Sequence, residues 1–136
     1  MHRLLTSEVV TFPYRAPELT WGYKNYTDKV DIWSVGCIFV ELLIGKVLFA
    51  QKDSKDQINF MYDLLGDPRE KWPEVEQLTY WKELKPRKNH INRLRAFLGN
   101  FRRDISELGV DLLNRFFDFN PHNRITAREA LNHPFF

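Results

Sequence analysis

From Asp28 onward, apolar positions in this 136-residue chain recur with helical rather than strand spacing. Val30, Trp33, Val35, Ile38, Phe39, Leu42 and Leu43 fall between Asp28 and Gly45. Asp28 is a good N-cap residue and Gly45 a good C′ residue, so a helix is predicted over 28–45. Its apolar residues wrap most of the circumference, which predicts burial nearly all round and makes it the spine of the fold. Ile58, Met61, Tyr62 and Leu65 mark a second, amphipathic helix, opened by a Ser54–Gln57 capping-box pattern and closed at Gly66. Further on, Ile91, Leu94, Leu98 and Phe101 predict a short helix with a basic outer face. Leu112, Leu113, Phe116 and Phe117 form another apolar stripe, and Thr126 with Glu129 opens a last helix that must end before Pro134.

The connecting stretches read differently. Val9, Val10 and Thr11 favour extended backbone, Pro13 restricts Phe12 to extended geometry, and Pro17 can open a helical turn. The stretch 67–86 carries Pro68, Pro73 and Pro86 with Trp72 and Trp81, and predicts an ordered excursion of short turns. No alternation of strand and helix patterns occurs, so the predicted class is mainly α.

Composition narrows the functions. Hydrophobic residues make up 43% and charged residues 28%, the balance of a folded chain rather than a disordered one. Twenty Lys+Arg against eighteen Asp+Glu leave a net charge of +2, too little to imply nucleic-acid binding by charge alone. The single cysteine, Cys37, excludes an internal disulfide framework and fits a reducing compartment, nucleus or cytoplasm. No signal-peptide pattern is present, and the longest apolar stretch, 32–45, is too short for a membrane span and contains Glu41. Eleven Phe and four Trp are a heavy aromatic load that calls for a large core or a large partner surface.

Four ordered segments carry a resemblance: Tyr14-Arg15-Ala16-Pro17-Glu18, Asp31-Ile32-Trp33-Ser34-Val35-Gly36-Cys37, Asn123-Arg124-Ile125-Thr126, and His133-Pro134-Phe135-Phe136. In this order and at these separations they resemble the second half of a eukaryotic protein kinase domain. Val9-Val10-Thr11 ahead of Tyr14-Arg15 is similar to the cyclin-dependent kinases of the CMGC group. Asp56-Gln57-Ile58-Asn59, Leu65-Gly66 and Trp72-Pro73 resemble the PITSLRE type within it.

The resemblance implies the helical C-terminal lobe of the bilobal kinase fold, without the β-rich ATP lobe. It divides the chain into an activation segment and substrate-pocket loop (1–27), central helices (28–66), a CMGC-type insertion (67–103) and terminal helices (104–136). Thr6 resembles the activation-loop threonine whose phosphate orders the loop when cations converge on it. Whether Thr6 is modified here stays open, since most of the arginines that would hold the phosphate are absent. Thr11 resembles the hydroxyl that contacts the catalytic base and lysine. Val10 and Arg15 resemble the pair that shapes the pocket for proline after the phosphorylated Ser or Thr. Glu18 resembles a buried carboxylate paired with a distant arginine, here Arg124, and Asp31 the helix aspartate that accepts hydrogen bonds from the catalytic-loop backbone. Where the family has Trp this chain has Pro13, which removes a large side chain beside the substrate site.

Phosphoryl transfer needs a phosphate-binding lysine, magnesium ligands and a base near the acceptor hydroxyl. The 136 residues contain no Gly-x-Gly-x-x-Gly loop, no Val-Ala-Ile-Lys strand, no His-Arg-Asp catalytic loop and no Asp-Phe-Gly; His2-Arg3 is followed by Leu4. The chain is therefore expected to be catalytically incomplete, a truncated product or an incomplete gene model. ATP and magnesium belong to the intact family rather than to these residues. Expected partners are protein substrates and a cyclin-like or docking partner, with no membrane and no nucleic acid. The alternative is a non-catalytic binding module that docks substrates or regulators through the retained lobe.

Other candidates have plainer readings. Asp31 and Glu18 read as structural, and His2, His90, His122 and His133 lack metal-ligand spacing. Cys37 reads as a small buried hydrophobe. Lys82, Lys85, Arg87, Lys88, Arg93, Arg95, Arg102 and Arg103 read as the solvated face of an insertion; the alternative, which the resemblance implies, is a docking surface for partner proteins, with Trp72 and Trp81 as contact residues.

Overall fold

The computed structural model describes residues 12–101 and 105–136. Among them there is no β-strand; the chain is mainly α. A 3₁₀ turn, Phe12–Tyr14, leads into α1 (Pro17–Thr20), opened by Pro17 at its first position, where a missing N–H is harmless. Then follow α2 (Lys29–Ile44), α3 (Ser54–Leu65) and α4 (Pro68–Lys71). A 3₁₀ turn (Pro73–Gln77) and α5 (Trp81–Leu84) complete the excursion, ahead of α6 (Leu94–Leu98), α7 (Glu107–Phe116) and α8 (Ala127–Leu131).

α2 is the spine. α7 packs against it so closely that a Cβ at Gly36 would stand 2.8 Å from Phe116 Cβ and 2.9 Å from the Phe117 ring. Any side chain larger than hydrogen there would force the two helices apart. The aromatic load is spent on two linked clusters. Trp33 lies 4.9 Å from the Phe117 ring and 6.0 Å from Phe49, while Trp21 lies 6.3 Å from Trp72 and 6.1 Å from Trp81. Phe119 joins the two, 5.7 Å from Trp21 and 6.1 Å from Trp33. The indole N–H of Trp21 donates to the Tyr62 hydroxyl (3.1 Å), which donates to the Leu84 carbonyl (2.8 Å), so the polar atoms of these two side chains are satisfied.

Several expectations are corrected. α2 is not buried all round: Val35 is 46%, Ile38 49% and Leu42 73% exposed, in one stripe with exposed Asp31. The remaining faces of α2 meet other described elements: Val30, Trp33, Cys37 and Val40 are buried, Ser34 and Glu41 bond to Tyr14, and Phe39 packs on Phe116 and Phe135. The side chain of Asp28 does not cap α2; the Thr27 hydroxyl accepts from the Lys29 N–H instead (3.2 Å). α3 is capped by Asp53, whose carboxylate accepts from the Asp56 N–H at 2.8 Å, so Ser54 is already inside the helix. Gln57, freed from the expected capping box, is buried and donates to the Phe12 carbonyl (2.8 Å). Ile91 precedes α6 and is 63% exposed rather than part of its apolar face. Trp72 and Trp81 are core, 3% and 4% exposed, because the excursion folds back over Trp21. The Thr126–Glu129 capping box forms as expected.

Candidate functional site

The stretch after Phe12 is fastened to the helical core at several points. Gln57 of α3 donates to the Phe12 carbonyl, and the Ser34 hydroxyl of α2 donates to the Tyr14 carbonyl (2.9 Å). The Tyr14 hydroxyl donates to the Glu41 carboxylate (2.7 Å), and that acceptor raises its pKa above the ordinary tyrosine range. The Arg15 guanidinium stacks over the Phe12 ring at 5.0 Å.

The strongest fastening is Glu18 with Arg124. Both side chains are fully buried, and the guanidinium meets the carboxylate in a two-pronged pair, each N–O distance 2.8 Å. Arg124 also donates to the carbonyls of Lys29 (2.8 Å) and Asp118 (3.0 Å), and its charge lies 5.2 Å from the Trp33 ring. Lys29 returns the contact by donating to the Arg124 carbonyl (2.6 Å) and the Pro121 carbonyl (3.2 Å). One buried cation thus ties α1, the start of α2 and the loop before α8 together. A lone buried charge is expensive, so the pair holds Glu18 of α1 against the loop before α8.

Of the residues assigned by resemblance, the structure brings Glu18 and Arg124 together, and Arg15 lies three residues before Glu18 with its guanidinium over Phe12. Thr6, Val10 and Thr11 lie outside the described residues, as do Arg102 and Arg103. Asp31 is exposed, and its carboxylate has no hydrogen-bond partner among the described residues; it shares the open stripe of α2 with Val35, Ile38 and Leu42. Cys37 is buried, and desolvation pushes its thiol far above the ordinary range, which leaves no thiolate for nucleophilic chemistry at neutral pH.

The described histidines serve local structure. His90 contacts Asp63 (3.1 Å), His122 faces the Tyr23 hydroxyl (3.2 Å), and His133 meets Asp111 (2.7 Å) through Nε2 while its Nδ1 accepts from the Phe135 N–H (3.0 Å). Among the described residues no cluster of His, Cys, Asp or Glu is placed to hold a metal ion. One feature escaped sequence reasoning: a polar cleft of about 570 Å³ between Tyr23, Lys24, Trp72, Glu74 and His122. Its walls come from three segments far apart in the chain, so no local pattern marks it.

The family model described as "Protein kinase domain" matches residues 1–136. The chain is 45% identical over 132 residues to "Cyclin-dependent kinase 11B" of Homo sapiens, covering 96% of this chain and 16% of that protein. It is 42% identical over 134 residues to "Serine/threonine-protein kinase ppk23" of Schizosaccharomyces pombe, covering 97% of this chain and 33% of that protein. With "Cyclin-dependent kinase C-3" of Oryza sativa subsp. japonica it shares 42% over 127 residues, 93% of this chain and 38% of that protein. The chain spans well under half the length of each of these relatives.

Proposed function

The chain belongs to the protein kinase family, and from that premise we propose that it is the substrate-facing part of a proline-directed, cyclin-dependent-type Ser/Thr kinase. In this reading the 136 residues bind and orient the protein substrate, and ATP and magnesium are handled by kinase segments outside them. Val10 and Arg15 shape the pocket for proline after the acceptor Ser or Thr, Thr11 contacts the catalytic base, and Thr6 takes the activating phosphate. Asp31 receives backbone donors from a catalytic loop outside the 136 residues. A cyclin-like partner and a nuclear or cytoplasmic setting go with this reading.

The observation that carries it is the fastening of the stretch 12–18 to the helical core, by Gln57 on the Phe12 carbonyl, Ser34 on the Tyr14 carbonyl and the buried Glu18–Arg124 pair. Sequencing the transcript upstream of Met1 tests it. In-frame codons for Asp-Phe-Gly and His-Arg-Asp supply the missing chemistry; an in-frame stop codon sinks the kinase reading. A second reading, a non-catalytic docking module, is favoured by the exposed cations between α5 and α6. Under it the chain alone competes with an intact kinase for a shared protein.

A further inference from the structure

The segment 82–95 holds six of the chain's twenty Lys and Arg but only one of its eighteen Asp and Glu, Glu83. The rest of the chain is therefore net negative, and the positive field is local. This strap between α5 and α6 is an ordered structure, pinned at several points. Pro86 is buried. The His90 ring is tucked beside Tyr62, with centroids 5.9 Å apart, and Nδ1 stands 3.1 Å from Asp63. The Arg93 N–H donates to the Leu64 carbonyl (2.8 Å), and the Asn92 side chain donates to Asn114 of α7 (2.9 Å). At the end of α3 the strap passes so close that a Cβ on Gly66 would lie 3.2 Å from the Asn92 nitrogen, and φ there is +100°. Both facts require glycine.

The pins turn Pro86, His90 and Leu94 inward and leave the cations outside. Lys82, Lys85, Arg87, Lys88, Arg93 and Arg95 are all exposed. Arg95 pairs with Glu107, and Lys88 reaches Asp63 only at 4.0 Å. Lys82, Lys85, Arg87 and Arg93 meet no carboxylate within ion-pair distance among the described residues. Among these cations stands Ile91, 63% exposed, which the pins at His90 and Asn92 hold out to solvent.

We propose that the strap is a docking surface for an extended acidic protein segment that carries a large apolar side chain. The unneutralised cations attract the carboxylates, and Ile91 gives the apolar side chain a seat that charge alone would not require. A nucleic acid fits less well. The exposed part of the strap has no aromatic side chain on which a base could stack, and Asp63 and Glu83 interrupt a phosphate track. The strap lies at the opposite end of α3 from Gln57 and the Phe12 contact, so the inference does not rest on the kinase reading; it rests on the docking reading, which uses the same cations, and deepens it by naming the chemistry of the partner.

Fluorescence anisotropy with the full chain tests it. The probe is a labelled peptide of about a dozen residues, mostly Glu and Asp around a central Leu-Phe pair. Its controls are a single-stranded RNA of similar charge and phosphatidylserine-containing vesicles. The peptide is expected to bind, weakening about tenfold or more in R87E/R93E and as salt shortens the screening length from about 30 Å to about 8 Å. I91S is expected to weaken it several-fold at high salt, where the apolar contact dominates. K52E/K55E makes the same charge change on exposed residues elsewhere and should have little effect. Circular dichroism checks that each variant stays helical. Equal losses in the two double mutants, insensitivity to I91S, or tighter binding of the RNA or the vesicles would overturn the proposal.

Discussion

Removing one partner of the Glu18–Arg124 pair is expected to be among the most damaging single changes to this chain. In Arg124→Met, Glu18 stays buried without its cation, and the carbonyls of Lys29 and Asp118 lose a donor as well. In Glu18→Gln only the carboxylate is lost, and the amide oxygen can still accept one guanidinium N–H. Breaking a buried pair costs about 3–5 kcal/mol, against a total domain stability of about 5–15 kcal/mol. Arg124→Met should therefore stand at or above that range and Glu18→Gln near its lower end. Urea unfolding followed by tryptophan fluorescence reads this directly, since Trp33 lies 5.2 Å from the guanidinium. With a slope of about 1–3 kcal/mol/M, the midpoint should fall by about 1 M or more in either variant. The double variant Glu18→Leu with Arg124→Met leaves no buried charge and should regain part of the loss. Single variants losing under about 1 kcal/mol, or a double variant as unstable as the sum of the two, would refute the reasoning.

Trp81→Ala should lose about 3–5 kcal/mol in the same assay, as a core position does; a loss under about 1 kcal/mol would return Trp81 to the surface. The open stripe of Val35, Ile38 and Leu42 should make the isolated chain bind a hydrophobic dye and melt below about 60 °C, within the usual mesophile range. Ile38→Lys with Leu42→Lys should reduce the dye signal without lowering the melting temperature. Thr126→Ala should cost about 1 kcal/mol through loss of the α8 capping box, measured by thermal melting. The Arg115 guanidinium and then His133 hold Asp111 below the usual carboxylate range, so its contribution is present above the unfolded pKa of about 3.9 and is lost as pH falls through the folded value. The stability gap between wild type and Asp111→Asn should therefore be open at neutral pH and close in acid; a constant gap would contradict this.

Local patterns wrote much of the fold into the sequence. The stop of α2 at Gly45, the Thr126–Glu129 box and the buried stripe of α7 all follow from spacing and capping chemistry within a few residues. Ser54 misled because Asp53 beside it is also a good cap, and which of two adjacent residues caps is settled by backbone geometry. The family motifs singled out Glu18 and Arg124, yet the burial of the pair, the carbonyls Arg124 also reaches, and the cleft beside Tyr23 arise only where distant segments meet.

By itself, then, the sequence determined the helices, the helical class and the kinase-family motifs, because periodicity and capping act over single turns. The tertiary structure alone decided which faces are covered. It drew Trp72 and Trp81 into the core, where stacking on Trp21 buries two large apolar surfaces. It left one side of α2 open, because no described segment crosses it. It also turned the cations of the strap outward, since burial of Pro86 and His90 leaves their neighbours no other direction.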